Sequence, residues 1–227
     1  LEEEYGYIRI SQFQSSTGSS LQRKIELLID EIGMPLRGLV LDLRNNPGGT
    51  LDGAIRVSDL FLTDGIIVST RGRAPNSTNT FLAKGRDLLN GAPLVVLVNR
   101  GSASASEIVA GALQDHGRAL ILGTRTFGKG SVQSILPMKN GAGLKLTTAR
   151  YYTPKNRSIQ AKGVVPDILS RNLQLSSKKS TSEIRESDLS SHLINKSEQG
   201  HSEKSADNSE NLQEKDFEIG EALNILK

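Results

Sequence analysis

Three short stretches of this sequence carry residues able to do hydrolytic chemistry. They are the serine-rich Gly101-Ser102-Ala103-Ser104-Ala105-Ser106, the lysine loop Thr126-Phe127-Gly128-Lys129-Gly130, and the turn Asn45-Asn46-Pro47-Gly48-Gly49. A serine at the start of a helix sits beside free peptide N–H groups and the positive end of the helix dipole. That position suits a nucleophile attacking a carbonyl, because the N–H groups that follow hold the developing oxyanion. The Gly48-Gly49 pair can bring a further backbone N–H close, having no Cβ to obstruct it. Ser104-x-x-Glu107 is also a capping box, and serines that only cap helices are far commoner than nucleophiles. The serine cluster alone leaves both readings open, and does not choose among Ser102, Ser104 and Ser106.

A hydroxyl nucleophile needs a base. His116 lies about 18 Å along the helix from Ser104 at about 1.5 Å per residue, and His192 and His201 belong to a polar tail. Asp115 shares the distance problem, and Glu107 is accounted for as the cap partner. Lys129 is left. To accept a proton it must be neutral, and from a reference pKa near 10.4 its deprotonation at pH 7 costs roughly 4.6 kcal/mol. Burial must supply much of that shift. Phe127, Val132 and Ile135 are the expected apolar neighbours, with Arg125 adding like-charge pressure. Gln133, four residues beyond Lys129, has a side-chain carbonyl able to accept from the lysine and aim it, but would serve equally as an exposed strand residue. The chain has no Cys, which excludes disulfides, thiolate metal sites and a Cys nucleophile. No metal and no organic cofactor is called for.

Strand-like and helix-like segments alternate from Tyr5 to about Ile168. Strands are expected at Tyr7–Ile10, Leu39–Leu43, Ile66–Ser69, Leu94–Val98 and Ala119–Leu122, and helices at Leu21–Ile32, Ala54–Phe61 and Ser104–His116. Ser131–Leu136 and Leu144–Tyr152 form a β pair about the Asn140-Gly141 turn. This order predicts an α/β fold with a parallel-rich sheet. Leu94–Val98, the Ser104 helix and Ala119–Leu122 make one βαβ unit, so the loop at 123–130 returns to the edge where that helix begins. With Leu39–Leu43 parallel to them, the turn at 45–49 opens at the same carboxyl edge, where open α/β sheets place ligand sites. The three stretches should converge there.

The 227 residues carry 28 basic and 25 acidic side chains, a net charge of +3, split as +6 over residues 1–168 and −3 beyond. The basic residues are scattered and aromatics make up 4%, which argues against nucleic acid as a partner. No apolar run approaches the roughly 18–20 residues of a membrane helix. Beyond about Ser170 the composition falls to Ser, Lys, Glu, Asn and Gln, so residues 1–170 are expected to form the core domain and 171–216 a disordered linker. Phe217–Leu226 regains helical spacing, making 217–227 a short C-terminal helix suited to dimerisation or to covering an apolar patch. The opening Leu-Glu-Glu-Glu reads as a mature form or part of a longer chain.

Four segments together resemble the C-terminal processing peptidases, also called tail-specific proteases: GLVLDLRNNPGG at 38–49, LVNRGSASASEI at 97–108, GTRTFGKGSVQ at 123–133 and YYTPKNRSIQAKGVVPD at 151–167. The resemblance implies a crotonase-like spiral of ββα units and a serine endopeptidase with a Ser–Lys dyad. It assigns the catalytic serine to Ser104, the base to Lys129 and its partner to Gln133. It also implies a backbone oxyanion hole at Ala105 and at Gly48 or Gly49. The implied substrates are proteins or peptides with exposed apolar C-termini. The implied setting is exported, in the periplasm or cell envelope, with membrane association made by a region preceding Leu1 and with homo-oligomers in view. Family members usually carry a PDZ domain, which none of these residues is expected to form, and the stretch at 170–216 lies outside the shared pattern. Two rivals keep part of the reading: a crotonase-like enzyme acting on acyl-CoA, which makes no use of Lys129, and a binding module in which Ser104 only caps its helix.

Overall fold

The computed structural model describes residues 4–73, 77–170 and 216–227. Five parallel strands form the central sheet: β1 (Tyr5–Arg9), β2 (Gly38–Asp42), β5 (Leu94–Val98), β6 (Leu120–Gly123) and β9 (Ile168–Leu169), in the order β1-β2-β5-β6-β9. Leu39 pairs with Leu94 and Val95 with Leu120, so the carboxyl ends of β2, β5 and β6 share one edge, as the βαβ argument requires. A second, antiparallel sheet has the order β4-β3-β8-β7, built from β3 (Ile66–Gly72), β4 (Thr78–Leu82), β7 (Ser131–Pro137) and β8 (Gly143–Tyr152). The α/β class and the parallel-rich sheet are as expected.

β2 and β5 are buried along their whole length because the sheet is covered on both faces. Alternate side chains divide between two cores. Leu39, Leu41, Leu94, Val96, Val98 and Ile121 face α1 (Thr17–Ile32), α2 (Leu51–Asp59) and α3 (Ala105–Asp115), while Val40, Val95, Leu97 and Leu122 face the other way. Helix α1 starts four residues before the apolar spacing indicates. Its first turn is polar but holds Gly18, whose absent side chain lets the helix close onto Arg56 of α2. Gly33 ends it in the left-handed conformation at φ 74°.

The second core is closed by α4 (Phe217–Leu226), which buries Ile219, Ala222, Leu223 and Leu226 against β2, β5 and β6. Its N-terminus is tied down by charge. The Arg44 guanidinium lies 2.8 Å from Asp216 Oδ2 and Glu218 Oε2 and from the fully buried Asp42 Oδ2. Burial works against the Arg44 charge, yet these three carboxylates outweigh it and raise its pKa. Tyr7 donates to Asp42 at 2.8 Å, and burial together with that carboxylate pushes the phenol up to about 12. Of the expected linker at 171–216, residues 171–215 lie outside the described residues, while Asp216 belongs to α4 as its cap.

This clasp gives a pH dependence. Burial acts to raise the Asp216 carboxyl, but Arg44 and the N–H groups of Ile219 and Glu218 outweigh it and hold the pKa below its ordinary value. A group depressed in the folded state stabilises it above the unfolded pKa, about 3.9 for Asp, and that contribution fades as pH falls through the lower folded value. Protection of the α4 amides, measured relative to their intrinsic exchange rates, is therefore expected to fall below about pH 4, before the α1–α3 core opens. Protection that instead stays constant in α4 down to global acid unfolding would contradict this role for Asp216.

Candidate active site

Hydroxyl partners separate the three serines. Ser102 and Ser106 are fully buried, with Ser102 Oγ donating to Leu43 O at 2.8 Å and Ser106 Oγ to Asn46 O at 2.9 Å. Both join the 99–106 loop to the end of β2. Ser104 stands between them, partly exposed at the N-cap of α3, with φ 55° and ψ −110°. A non-glycine residue at positive φ is strained, and such strain gathers at functional sites. This backbone also weakens the capping reading. The Ser104 hydroxyl is placed toward Glu107 as in a capping box but makes no cap hydrogen bond, and the Glu107 N–H donates instead to Ser104 O at 2.9 Å.

The other half of that box organises the site. Glu107 is fully buried, and its carboxylate accepts four hydrogen bonds. Oε1 takes Thr126 Oγ1 at 2.6 Å and Gly128 N at 2.7 Å; Oε2 takes Ser104 N and Lys129 N, each at 2.8 Å. One oxygen thus holds the backbones of Ser104 and Lys129 within twice that distance of each other. The expectation that Glu107 serves only as a cap partner is too small. A carboxylate in the first turn of a helix buried almost all round must find several donors, and that burial was the signal available in the sequence.

The lysine loop is strapped from outside by residues 159–164, the middle of the fourth motif. Ala161 N donates to Gly128 O, Val164 N to Thr126 Oγ1 and Gly130 N to Gln160 Oε1, at 2.7–3.1 Å. Phe127 is 69% exposed, so it does not bury Lys129 as expected; Val132 is partly buried against the main core. Lys129 itself is half-buried, and its amine enters no ion pair among the described residues. Gln133 lies on β7, exposed and without a side-chain hydrogen bond to Lys129 among the described residues; a register shift in the β7–β8 pairing falls between Val132 and Gln133. Of the predicted set, the structure gathers the backbones of Ser104, Ala105, Gly48 and Lys129 and leaves Gln133 at the margin.

The turn at 45–49 reaches the serine as expected. A Cβ on Gly48, at φ 101°, would stand 2.8 Å from Ser104 Cβ, 2.9 Å from Ala105 N and 2.6 Å from Ala103 O. The Gly48 N–H is given to the buried Asn46 Oδ1 at 2.9 Å, and Asn46 Nδ2 donates to Ile10 O at 2.7 Å. Gly49 lies against the Phe13 backbone, with Thr50 N donating to Phe13 O at 3.0 Å. Asn99 Oδ1 accepts from Asn45 N and Gly101 N, each at 2.9 Å, binding the turn to the serine loop. The site is a strained serine hydroxyl at a helix N-terminus, a neighbouring glycine turn and an amine on an adjoining loop, a set suited to acyl transfer.

Gly48→Ala is therefore expected to lower the rate by on the order of 10²-fold, because its Cβ pushes the turn away from Ser104 and Ala105, and to lower the melting temperature, because at positive φ it also meets the Ala103 and Ala105 backbone. Gly49→Ala, whose Cβ meets Phe13 backbone atoms, is expected to lower the melting temperature further. Kinetics and thermal melts of both variants check this, and a Gly48→Ala chain with the wild-type rate would contradict it.

The family model for peptidase family S41 matches residues 4–170. A carboxy-terminal-processing protease of Bartonella bacilliformis is 48% identical over 229 residues, covering 100% of this chain and 53% of that protein. A carboxyl-terminal-processing protease of Synechocystis is 45% identical, covering 71% of this chain and 37% of its own length. A solved photosystem II D1 C-terminal processing protease superposes with a TM-score of 0.63 at 40% identity, covering 72% of this chain and 41% of that one. The chain spans about half the length of the Bartonella relative. The family model stops at residue 170 and the Synechocystis match covers 71% of this chain, as expected of the polar stretch after Ser170, while the Bartonella match continues through it.

Proposed function

Because the chain belongs to peptidase family S41, we propose that it is the catalytic portion of a serine endopeptidase that cuts polypeptides near their C-termini through Ser104 and Lys129. The single carboxylate of Glu107, bonded to the N–H groups of both residues, carries this reading. Lys129 in its neutral form takes the proton as Ser104 Oγ attacks the peptide carbonyl. The oxyanion is held by Ala105 N–H and by an N–H of the Gly48-Gly49 turn. Lys129 then delivers the proton to the leaving amine, and the acyl-enzyme is opened by water that Lys129 deprotonates. Gln133 orients the amine once β7 and a bound substrate draw it inward. The parallel-rich sheet with α1–α3 packed on one face supports reading the fold as one part of a crotonase-like arrangement.

One solved relative is named for C-terminal processing of photosystem II D1, which supports a polypeptide as the substrate class; we take the substrate's C-terminus to be apolar. An exported setting, in periplasm or cell envelope, is the one this kinship supports. No helix among the described residues is long and apolar enough to cross a membrane.

The test incubates wild type, Ser104→Ala and Lys129→Ala with a folded protein bearing an apolar C-terminal tag. Degradation by the wild type alone is the expected result. Cleavage by all three chains would overturn the assignment, and acyl-CoA hydrolysis surviving in Lys129→Ala would move the chemistry to the thioester class.

A further inference from the structure

The antiparallel sheet carries a basic cavity that the proposed mechanism does not use. Arg71 on β3 and Arg150 on β8 stand directly opposite each other in the pairing register. Like charges in that position destabilise a sheet. With Arg73 they line an open cavity of about 770 Å³, to which Thr147 and Thr148 add hydroxyl groups. No acidic side chain among the described residues forms an ion pair with any of the three arginines. Arg71 lies over the Tyr152 ring, 4.4 Å from its centroid, which holds its guanidinium in place.

We propose that Arg71, Arg73 and Arg150 bind carboxylates of the polypeptide substrate. Planar guanidinium groups match carboxylates bidentately. The volume falls in the range of about 300–1,000 Å³ typical of binding clefts, so the site takes a stretch of peptide and not a lone ion. It also adjoins the lysine loop. Arg150 pairs with Ser131, two residues beyond Lys129, and Tyr151 N donates to Gly130 O at 2.8 Å. Nucleic acid fits less well, because the lining has a single aromatic ring, one face of which is taken by Arg71, and so no run of rings on which successive bases could stack. The proposal rests on the reading that the substrate is a polypeptide. The carboxylate can belong to Asp or Glu side chains or to the chain terminus.

The test measures binding on a Ser104→Ala chain, so it does not depend on Ser104 being the nucleophile. Three fluorescein-labelled peptides share one apolar core: one amidated with two Glu residues, one with a free terminal carboxylate, one amidated and neutral. At least one carboxylate peptide is expected to bind about tenfold more tightly than the neutral one, a difference worth about 1.4 kcal/mol, and which one does so identifies the source. Adding Arg71→Gln and Arg150→Gln should reduce that advantage to less than about threefold, or under about 0.7 kcal/mol. The melting temperature should hold or rise, since the like-charge pair is gone. Arg71→Lys with Arg150→Lys should leave an intermediate preference. Equal binding of all three peptides, or an advantage that survives Arg71→Gln/Arg150→Gln, overturns the proposal. So does a single-stranded oligonucleotide that displaces the peptides at lower concentration than an unlabelled Glu peptide does.

Discussion

Ser104→Ala is expected to lose cleavage by on the order of 10⁴–10⁶-fold, as nucleophile removal does in serine peptidases, with folding unchanged. The hydroxyl makes no cap hydrogen bond, and the backbone bonds that start α3 run to Ser104 O from Glu107 N and Ile108 N and survive the substitution. A serine that only capped α3 would behave in the opposite way, costing about 0.5–2 kcal/mol of stability and nothing in rate. Ser104→Gly sharpens the contrast. Residues at positive φ carry strain on the order of 1–3 kcal/mol that glycine does not, so this variant should be inactive yet no less stable than wild type. Thermal melts read beside peptide cleavage separate the two roles, and an active Ser104→Ala chain of lowered stability would sink the nucleophile assignment.

Glu107→Gln should produce the next largest loss, though it changes a single atom. The carboxylate accepts two donors on each oxygen, and an amide replaces one of those oxygens with an NH₂ group. Whichever way the amide lies, one pair of donors meets another donor: Thr126 and Gly128, or Ser104 and Lys129. A buried donor left unsatisfied costs about 1–3 kcal/mol, so a loss of about 2–4 kcal/mol in stability is expected on that scale. The rate should fall by on the order of 10²–10³-fold through displacement of Ser104 from Lys129. Since Glu107 touches no substrate in this account, KM should change little. A Glu107→Gln chain with wild-type kcat would show that the carboxylate only caps its helix.

The sequence disclosed most of what this site needs because two different signals agreed. Apolar runs at Leu39–Leu43 and Leu94–Val98 marked strands buried on both faces, and the geometry of one βαβ unit brought three loops to a common edge. What it concealed was polar and non-local. β4 reads Thr-Asn-Thr-Phe-Leu, with too little alternation to announce an edge strand, and β9 has only two residues. The choice among Ser102, Ser104 and Ser106 depends on which hydroxyls reach carbonyls about 60 positions away in the chain. Neither spacing nor propensity records that. Glu107 fitted a local motif so well that its long-range bonds to residues 126–129 went unforeseen. Phe127 was misjudged because an apolar side chain on a loop need not face inward.

The turn at Gly48 is supported from further away than the three motifs suggest. Arg44 immediately precedes it and is held by Asp42 on β2 and by Asp216 and Glu218 at the head of α4. A helix at the far end of the chain thus steadies the residue that leads into the glycine turn.

Covalent labelling with a serine-directed fluorophosphonate, followed by peptide mapping, tests the central claim most directly. The account predicts one adduct, on Ser104, formed readily by the wild-type chain and suppressed by on the order of 10²-fold or more in Lys129→Ala, the scale of general-base catalysis. An adduct on any other residue, or labelling of Ser104 at the same rate without Lys129, would contradict it.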